Sequence, residues 1–282
     1  MATCSATSER QLTRQGGVPP PCRILLPLQT PHLYHRGEEF SIIISFSGLT
    51  FEIQLRYPGT ERYFSDFLAV GGSPTAHLQV TQEDLQRASC YCPSDAPPEF
   101  LETVALRRRF ADLLLSYSRC LFHSAAFAFQ GKAYLLAAPS GVGKTTQLNL
   151  WWQLYPGEIT IINGDKPALQ FQDNGPILVH ATPWRGKEAL GGTGSAPLGG
   201  IVYLRQSQTD RCLPLPAASA ILPLLGQCFC TDRTEAHYRL LLPLLKRLVP
   251  AAPIWLLENR GGPESTRLCH DHILERKERI PC

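Results

Sequence analysis

The sequence predicts an α/β domain preceded by a small β-rich α+β module, and three observations carry that reading. Phe51, Ile53 and Leu55 alternate with Glu52, Gln54 and Arg56 behind a run rich in Ile and Phe, the period of a half-buried hairpin. Leu106, Phe110, Leu113, Leu114 and Tyr117 recur at helical spacing. From Cys120 onward an apolar strand, a glycine loop, a helix, a second strand and an acid follow one another, the order of an α/β unit.

Taken in order, residues 1–22 are polar, with Gly16-Gly17 and Pro19-Pro20-Pro21, and read as a flexible lead-in; order is expected to begin near Ile24. The β-rich module covers 23–97. It holds the strand Phe40 to Phe46, a turn at Ser47-Gly48, the alternating strand after it, and a short strand at His77 to Val80. Thr81 with Asp84 opens a short helix in the manner of a capping box, although Glu is the usual partner. Pro93 to Pro98 breaks the chain, and a helix over 98–119 is expected to join the two domains. The α/β domain then runs over 120–275, with 276–282 as a tail. Its elements are apolar Ala125 to Phe129, a Gln130-Gly131 turn, apolar Ala133 to Ala138, a helix over Thr145 to Tyr155 and a strand at Ile159 to Ile162.

Composition narrows the function classes. The chain has 282 residues, 44% hydrophobic, with 27 Lys plus Arg against 24 Asp plus Glu and a net charge of +3. A disordered protein is excluded, and so weak a field argues against nucleic acid as a partner. The triplet Arg107-Arg108-Arg109 sits in a helical pattern and reads as a solvated face. The start, Met1 to Gly17, lacks the apolar core of a secretory signal, so the cytoplasm is the expected compartment and the ten cysteines are read as free thiols. Cys90/Cys92 and Cys228/Cys230 lack the usual zinc-ligand spacing. Cys212 to Thr231 carries no charge over nearly a bilayer span, but Pro214, Pro216 and Pro223 interrupt it. A core helix at Ala217 to Gly226 is expected rather than a membrane segment.

The chemistry concentrates in Ala138-Pro139-Ser140-Gly141-Val142-Gly143-Lys144-Thr145-Thr146, which matches the P-loop pattern with alanine at its first glycine. Gly141 and Gly143 let successive amides turn toward phosphate oxygens, and the start of the following helix adds its positive end. Lys144 is placed to reach the β- and γ-phosphates, and Thr145 to ligate Mg²⁺. Asp165 stands just past a strand, where ligands bind in open α/β sheets, and is the best second Mg²⁺ ligand or catalytic acid. Trp184, Lys187 and Glu188, next to Gly186 and the run Gly191 to Gly194, have the composition of a loop that closes over phosphate. Arg260 is either a charge-stabilising group or a surface arginine.

Phe122-His123, the loop itself, Asn163-Gly164-Asp165-Lys166-Pro167, Thr182-Pro183-Trp184-Arg185-Gly186-Lys187-Glu188 and Ala196-Pro197-Leu198 together resemble the HPr-kinase-like proteins, in an uncharacterised bacterial branch. The resemblance covers about Cys120 to Leu257 and implies the mixed-sheet nucleotide-binding fold shared by the HPr kinase/phosphorylase C-terminal domain and phosphoenolpyruvate carboxykinase. It implies ATP and Mg²⁺ as cofactors and a phosphotransferase acting on a hydroxyl of a peptide, small protein or serine-like acceptor. His123 matches the histidine that helps activate the acceptor, and Asp165 the second of the family's paired aspartates. Gly164 stands where the first aspartate, the expected base, would be.

That departure leaves several readings open. His123 or Glu188 takes over proton removal, or the acceptor differs, or transfer is weak or lost. A non-catalytic ATP-binding module that recognises a peptide or partner, and an ATPase, stand beside the kinase. Carboxykinase activity is not expected, because the N-terminal module leaves little sequence for that larger enzyme's additional elements and no second metal cluster is evident in the sequence. A homo-oligomer is compatible with the sequence.

Overall fold

Period-two alternation closes the first hairpin. Strands β1 (Tyr34–Arg36), β2 (Glu39–Phe46) and β3 (Leu49–Leu55) pair antiparallel in turn, and β4 (Ala76–Gln79) adds to β3 in parallel. Phe51, Ile53 and Leu55 face the core as the alternation requires. The structure, a computed structural model, describes residues 34–36 and 39–278, with side chains from Phe40 to Leu274. The expectations for residues 1–22 and Ile24 lie outside the described residues, as does the end of the tail.

A 3₁₀ segment (Pro58–Phe67) and two helices, α1 (Gln82–Ser89) and α2 (Pro98–Leu115), complete this module. The Thr81 amide donates to Asp84 Oδ2 at 2.8 Å and the Asp84 amide to Thr81 Oγ1 at 3.1 Å, so the aspartate closes a full capping box. Helix α2 is not a bare connector. It buries Leu106, Phe110 and Leu114 in a core that continues from the first sheet into the second, and the described residues form one compact unit. Glu102 is also fully buried on α2, and accepts from the Arg56 amide (2.7 Å), the Tyr57 amide (3.1 Å) and the Thr60 hydroxyl (2.6 Å). Three donors on one carboxylate offset its burial.

The remaining chain builds a ten-stranded mixed sheet. Its elements are β5 (Arg119–Phe122), β6 (Ser124–Phe129), β7 (Lys132–Ala137), α3 (Lys144–Leu154), β8 (Ile159–Asn163), β9 (Ala168–Gln170), β10 (Leu178–His180), β11 (Ser195–Gln206) and β12 (Arg211–Pro214). They are followed by α4 (Ala217–Gln227), β13 (Cys228–Phe229), α5 (Glu235–Ala251), β14 (Ile254–Asn259) and α6 (Pro263–Glu278). Strand β11 serves two parts of the sheet: Ser195 to Pro197 pair with β10, and beyond a register shift at Leu198/Gly200 it runs parallel to β7 and β14. Strands β7, β11 and β14 therefore deliver three parallel carboxyl ends to one edge, where open α/β sheets bind ligands.

The uncharged run from Cys212 to Thr231 folds as β12, α4 and β13. Among the described residues no helix is long and apolar enough to cross a membrane. The seven described cysteines are free thiols.

Candidate functional site

Strand β7 is buried from Ala133 to Ala137, and the chain leaves it through Ala138, itself fully buried, into the glycine loop. Gly141 (φ +82°) and Gly143 (φ +111°) both take the left-handed conformation that side chains disfavour, which lets the loop double back before α3 begins at Lys144. Gly143 is the N-cap and offers no side-chain acceptor, so the amides of the first turn are left for an external one. Lys144 lies beneath the loop, 8% exposed, and its ammonium donates to Ala138 O (2.9 Å) and Pro139 O (3.2 Å). Burial pushes its pKa down to about 8, with Asp165 opposing the shift and Lys166 adding to it. Thr145 is half-buried and Thr146 exposed.

Asp165 is positioned by a polar turn at the end of β8. The Asn163 side-chain Oδ1 accepts from the amides of Asp165 (2.9 Å) and Lys166 (2.8 Å), while its Nδ2 donates to Thr182 O (3.0 Å) and Oγ1 (3.1 Å). The Thr182 hydroxyl in turn donates to Lys166 O at 2.6 Å. Asp165 Oδ1 then receives the Lys166 ammonium at 2.8 Å and faces His123 Nε2 at 3.5 Å. Both contacts fall on one oxygen, so Oδ2 is open among the described residues.

His123 comes from the junction of β5 and β6 and is fixed by Gln227 at the end of α4. The His123 amide donates to Gln227 O at 2.8 Å. In the orientation that satisfies both its ends, the Gln227 side-chain amide donates to His123 O (3.1 Å) and Ala138 O (2.9 Å), tying the histidine to the base of the glycine loop. Burial, with Lys166 and Lys144 adding to it, pushes the His123 pKa down to about 4; Asp165 opposes this and Arg107 reinforces it. The imidazole is neutral at neutral pH.

The segment after Thr182 is pinned on both sides. Trp184 is buried, its ring lying 5.9 Å from Phe46, 6.3 Å from Phe64 and 5.3 Å from Phe110, and its Nε1 donates to Thr103 O at 3.2 Å. The structure thus places Trp184 in the core shared with the N-terminal module. Arg185 donates to Asp66 at 2.6 Å and to Gly192 O at 3.0 Å. Between these anchors Lys187 and Glu188 are exposed. The point a Gly186 Cβ would occupy is 3.2 Å from Asp165 Cβ and 3.8 Å from Glu188 Oε2, so the two carboxylates flank one spot.

Gly164 has no room for the side chain the resemblance would put there. A Cβ on it would sit 2.6 Å from Arg185 O and 3.2 Å from both Cβ and O of Leu190, and the Gly164 amide donates to Leu190 O at 2.9 Å. The 185–190 segment fills the space.

A pocket of about 580 Å³ opens on the other side of the loop, lined by Gly141 to Gly143, Thr146, Gln206, Gln208, Asn259 and Arg260. Asn259 and Gln147 share a buried network, in which Gln147 donates to Ser265 Oγ (2.8 Å) and accepts from Thr266 Oγ1 (2.9 Å). Arg260 is held at the pocket by Asp210, through its amide and its Nε, each at 2.8 Å.

The structure brings His123, Lys144 and Asp165 together, with Glu188 close by. Sequence reasoning missed Lys166, Gln227 and Arg107. Lys166 stood inside a quoted motif and drew no role. Arg107 corrects the expectation of a solvated arginine face: it is half-buried, its Nε is shielded from solvent, and its charge is felt by Asp165 and His123. Arg108 is also largely covered, with 12% of its side chain exposed, and Arg109 alone is solvated.

No family model matches the chain, and no curated protein matches it. Among solved structures, the Hpr(Ser) kinase/phosphatase from Coxiella burnetii is similar over 56% of this chain and 93% of its own, with a TM-score of 0.33 and 11% identity. The likeness is weak and is one of α/β architecture.

Proposed function

We propose that this protein is an ATP- and Mg²⁺-dependent phosphotransferase that moves the γ-phosphoryl group to a hydroxyl on a peptide, small protein or serine-like acceptor. One observation carries the reading: a loop of left-handed glycines at the end of a parallel strand, with Lys144 beneath it, lies in one electrostatic neighbourhood with Asp165 and His123. In this reading the loop is a P-loop whose amides, with Lys144, hold the phosphates.

The residues fit a Mg²⁺–nucleotide. Mg²⁺ takes one or two protein oxygens beside substrate phosphates and water, and the Thr145 hydroxyl with the open Oδ2 of Asp165 would hold it. When bound, the ion supplies charge neutralisation at the phosphoryl oxygens. The pocket beside Thr146 has the volume for a nucleoside, with Gln206 and Gln208 as amide partners for a base. His123, neutral and 3.5 Å from Asp165, is placed to accept the proton of an acceptor hydroxyl. Glu188 is the alternative base on the exposed loop. Catalysis would rest on positioning and on charge.

The test is γ-phosphoryl turnover with hydroxyl acceptors, alongside Mg·ATP binding by calorimetry. Lys144→Ala is expected to abolish binding and Asp165→Asn to remove turnover; full activity in both variants would sink the assignment. A second reading, an ATP-binding module without transfer, draws on the blocked side-chain space at Gly164. Tight Mg·ATP binding with no transfer to any acceptor would favour it.

A further inference from the structure

Among the described residues Arg107 is in direct contact with no anion, and Asp165 acts on it only through its field. Among the described residues no hydrogen bond or ion pair engages its guanidinium, and its Nε is buried and unsatisfied. The facing group is the Phe229 ring, 5.2 Å from Arg107 Cζ and 5.8 Å from Lys166 Nζ. A ring face attracts a cation but leaves the buried Nε–H without an acceptor. Arginine does not shed its proton to relieve burial, as a lysine can. Around it, Lys166 and Lys144 are also buried, and Asp165 is the one carboxylate that opposes all three cations. If the nucleotide phosphates engage Lys144 and Asp165 holds Lys166, the Arg107 fork remains unmatched.

We propose that Arg107 and Lys166, with His123, form an anion-binding subsite on the Phe229 side of Asp165, which takes the oxyanion of a carboxylate or phosphate group. In the phosphotransfer reading, on which this placement rests, the anion belongs either to the acceptor, as a carboxylate near its hydroxyl, or to free phosphate. Helix α2 supplies the arginine and so gives the N-terminal half a part in choosing what enters the site.

The probes are inorganic phosphate, N-acetylserine and N-acetylserinamide, titrated by calorimetry into the full chain, its Arg107→Gln and Arg107→Lys variants, and Lys144→Ala. A forked, charge-assisted contact is among the stronger hydrogen bonds, so Arg107→Gln is expected to weaken the bound anion by about 10- to 100-fold, with Arg107→Lys in between and Mg·ATP affinity unchanged. Binding of phosphate alone identifies free phosphate as the source, and binding of N-acetylserine but not its amide identifies the acceptor carboxylate. Melting of the ligand-free protein separates this from a packing role: removing an unmatched cation should leave Arg107→Gln at least as stable as wild type. Equal anion affinity in wild type and Arg107→Gln, absence of binding by either anion in wild type, or a lowered melting temperature with loss of Mg·ATP binding would each overturn the proposal. Arg107-dependent anion binding in a protein that does not bind Mg·ATP would refute the phosphotransfer reading and leave the subsite standing.

Discussion

Lys144→Met should make the ligand-free protein more stable while removing nucleotide binding. Lys144 is 8% exposed, and burial pushes its pKa from 10.5 down to about 8. A depressed lysine pKa means that below pH 8 both folded and unfolded chains carry the charge, and the folded state bears its full desolvation. Between about pH 8 and 10.5 the folded state sheds the proton first, and the penalty disappears. At about 1.36 kcal/mol per pH unit the penalty near pH 7 is about 3 kcal/mol. Methionine keeps the unbranched stem, one atom shorter, and gives up two hydrogen bonds. Pro139 O is exposed and returns to water, while Ala138 O keeps the Gln227 amide at 2.9 Å, so that loss is about 1 kcal/mol. The net gain is about 2 kcal/mol, or roughly 4 °C for a chain of this size. Thermal unfolding of both proteins at pH 7 and pH 10 checks it: the variant should lead at pH 7 and lose most of its lead at pH 10. A variant less stable at pH 7, or a gap that ignores pH, would refute the reasoning. The expected pattern is that of a site held ready for an anion at the expense of stability.

Three further outcomes follow from the same geometry. Gly164→Asp should cost about 2–3 kcal/mol in urea unfolding and fail to raise turnover, because its Cβ would meet Arg185 O at 2.6 Å; a stable, more active variant would show that the 185–190 segment gives way. His123 and His180, both pushed down to about 4, remain neutral in the folded chain while the unfolded chain protonates near 6.5. Stability should therefore fall as pH drops from 6.5 to 4, by up to about 1.4 kcal/mol per unit for each, and urea midpoints of a His180→Gln variant should flatten that slope. Trp184→Ala should cost about 3–5 kcal/mol by thermal unfolding and speed tryptic cleavage at the exposed Lys187; unchanged cleavage would mean that the indole does not anchor this segment.

What the sequence made legible was local. The hairpin, the capped α1, the β7–loop–α3 unit and the acid after β8 each rest on a period or a fixed spacing. Strands β9, β10 and β13 span three, three and two residues, too few to show a period, and they exist because the partners β5 and β11 present edges to them. The missed site residues fail for a related reason. Three consecutive arginines on α2 lie about 100° apart, and Arg107, three residues before Phe110 and seven before Leu114, falls on the buried stripe while Arg109 falls opposite; reading the triplet as one charged face overlooks that spacing. What the spacing does not give is the company Arg107 meets there, Phe229 and Asp165, which arrive from distant elements. Likewise Trp184 carries the look of a loop aromatic, and becomes a core residue through Phe46, Phe64 and Phe110 from the other half of the chain.

Gly164 shows why the difference matters for the chemistry. Read alone, a glycine in place of an acid is a deletion; in the folded chain the position is filled by the backbone of Arg185 and by Leu190, so an acid cannot simply be restored there. On the phosphotransfer reading, proton removal would then fall to His123 or Glu188. His123 is a weak base in the empty site because burial, Lys166, Lys144 and Arg107 all depress it, and Asp165 alone works the other way. On the phosphotransfer reading an incoming anion would offset part of the field of those three cations, while a Mg²⁺ held by Asp165 would take up the one charge that favours the imidazolium, so nucleotide and metal act on His123 in opposite senses.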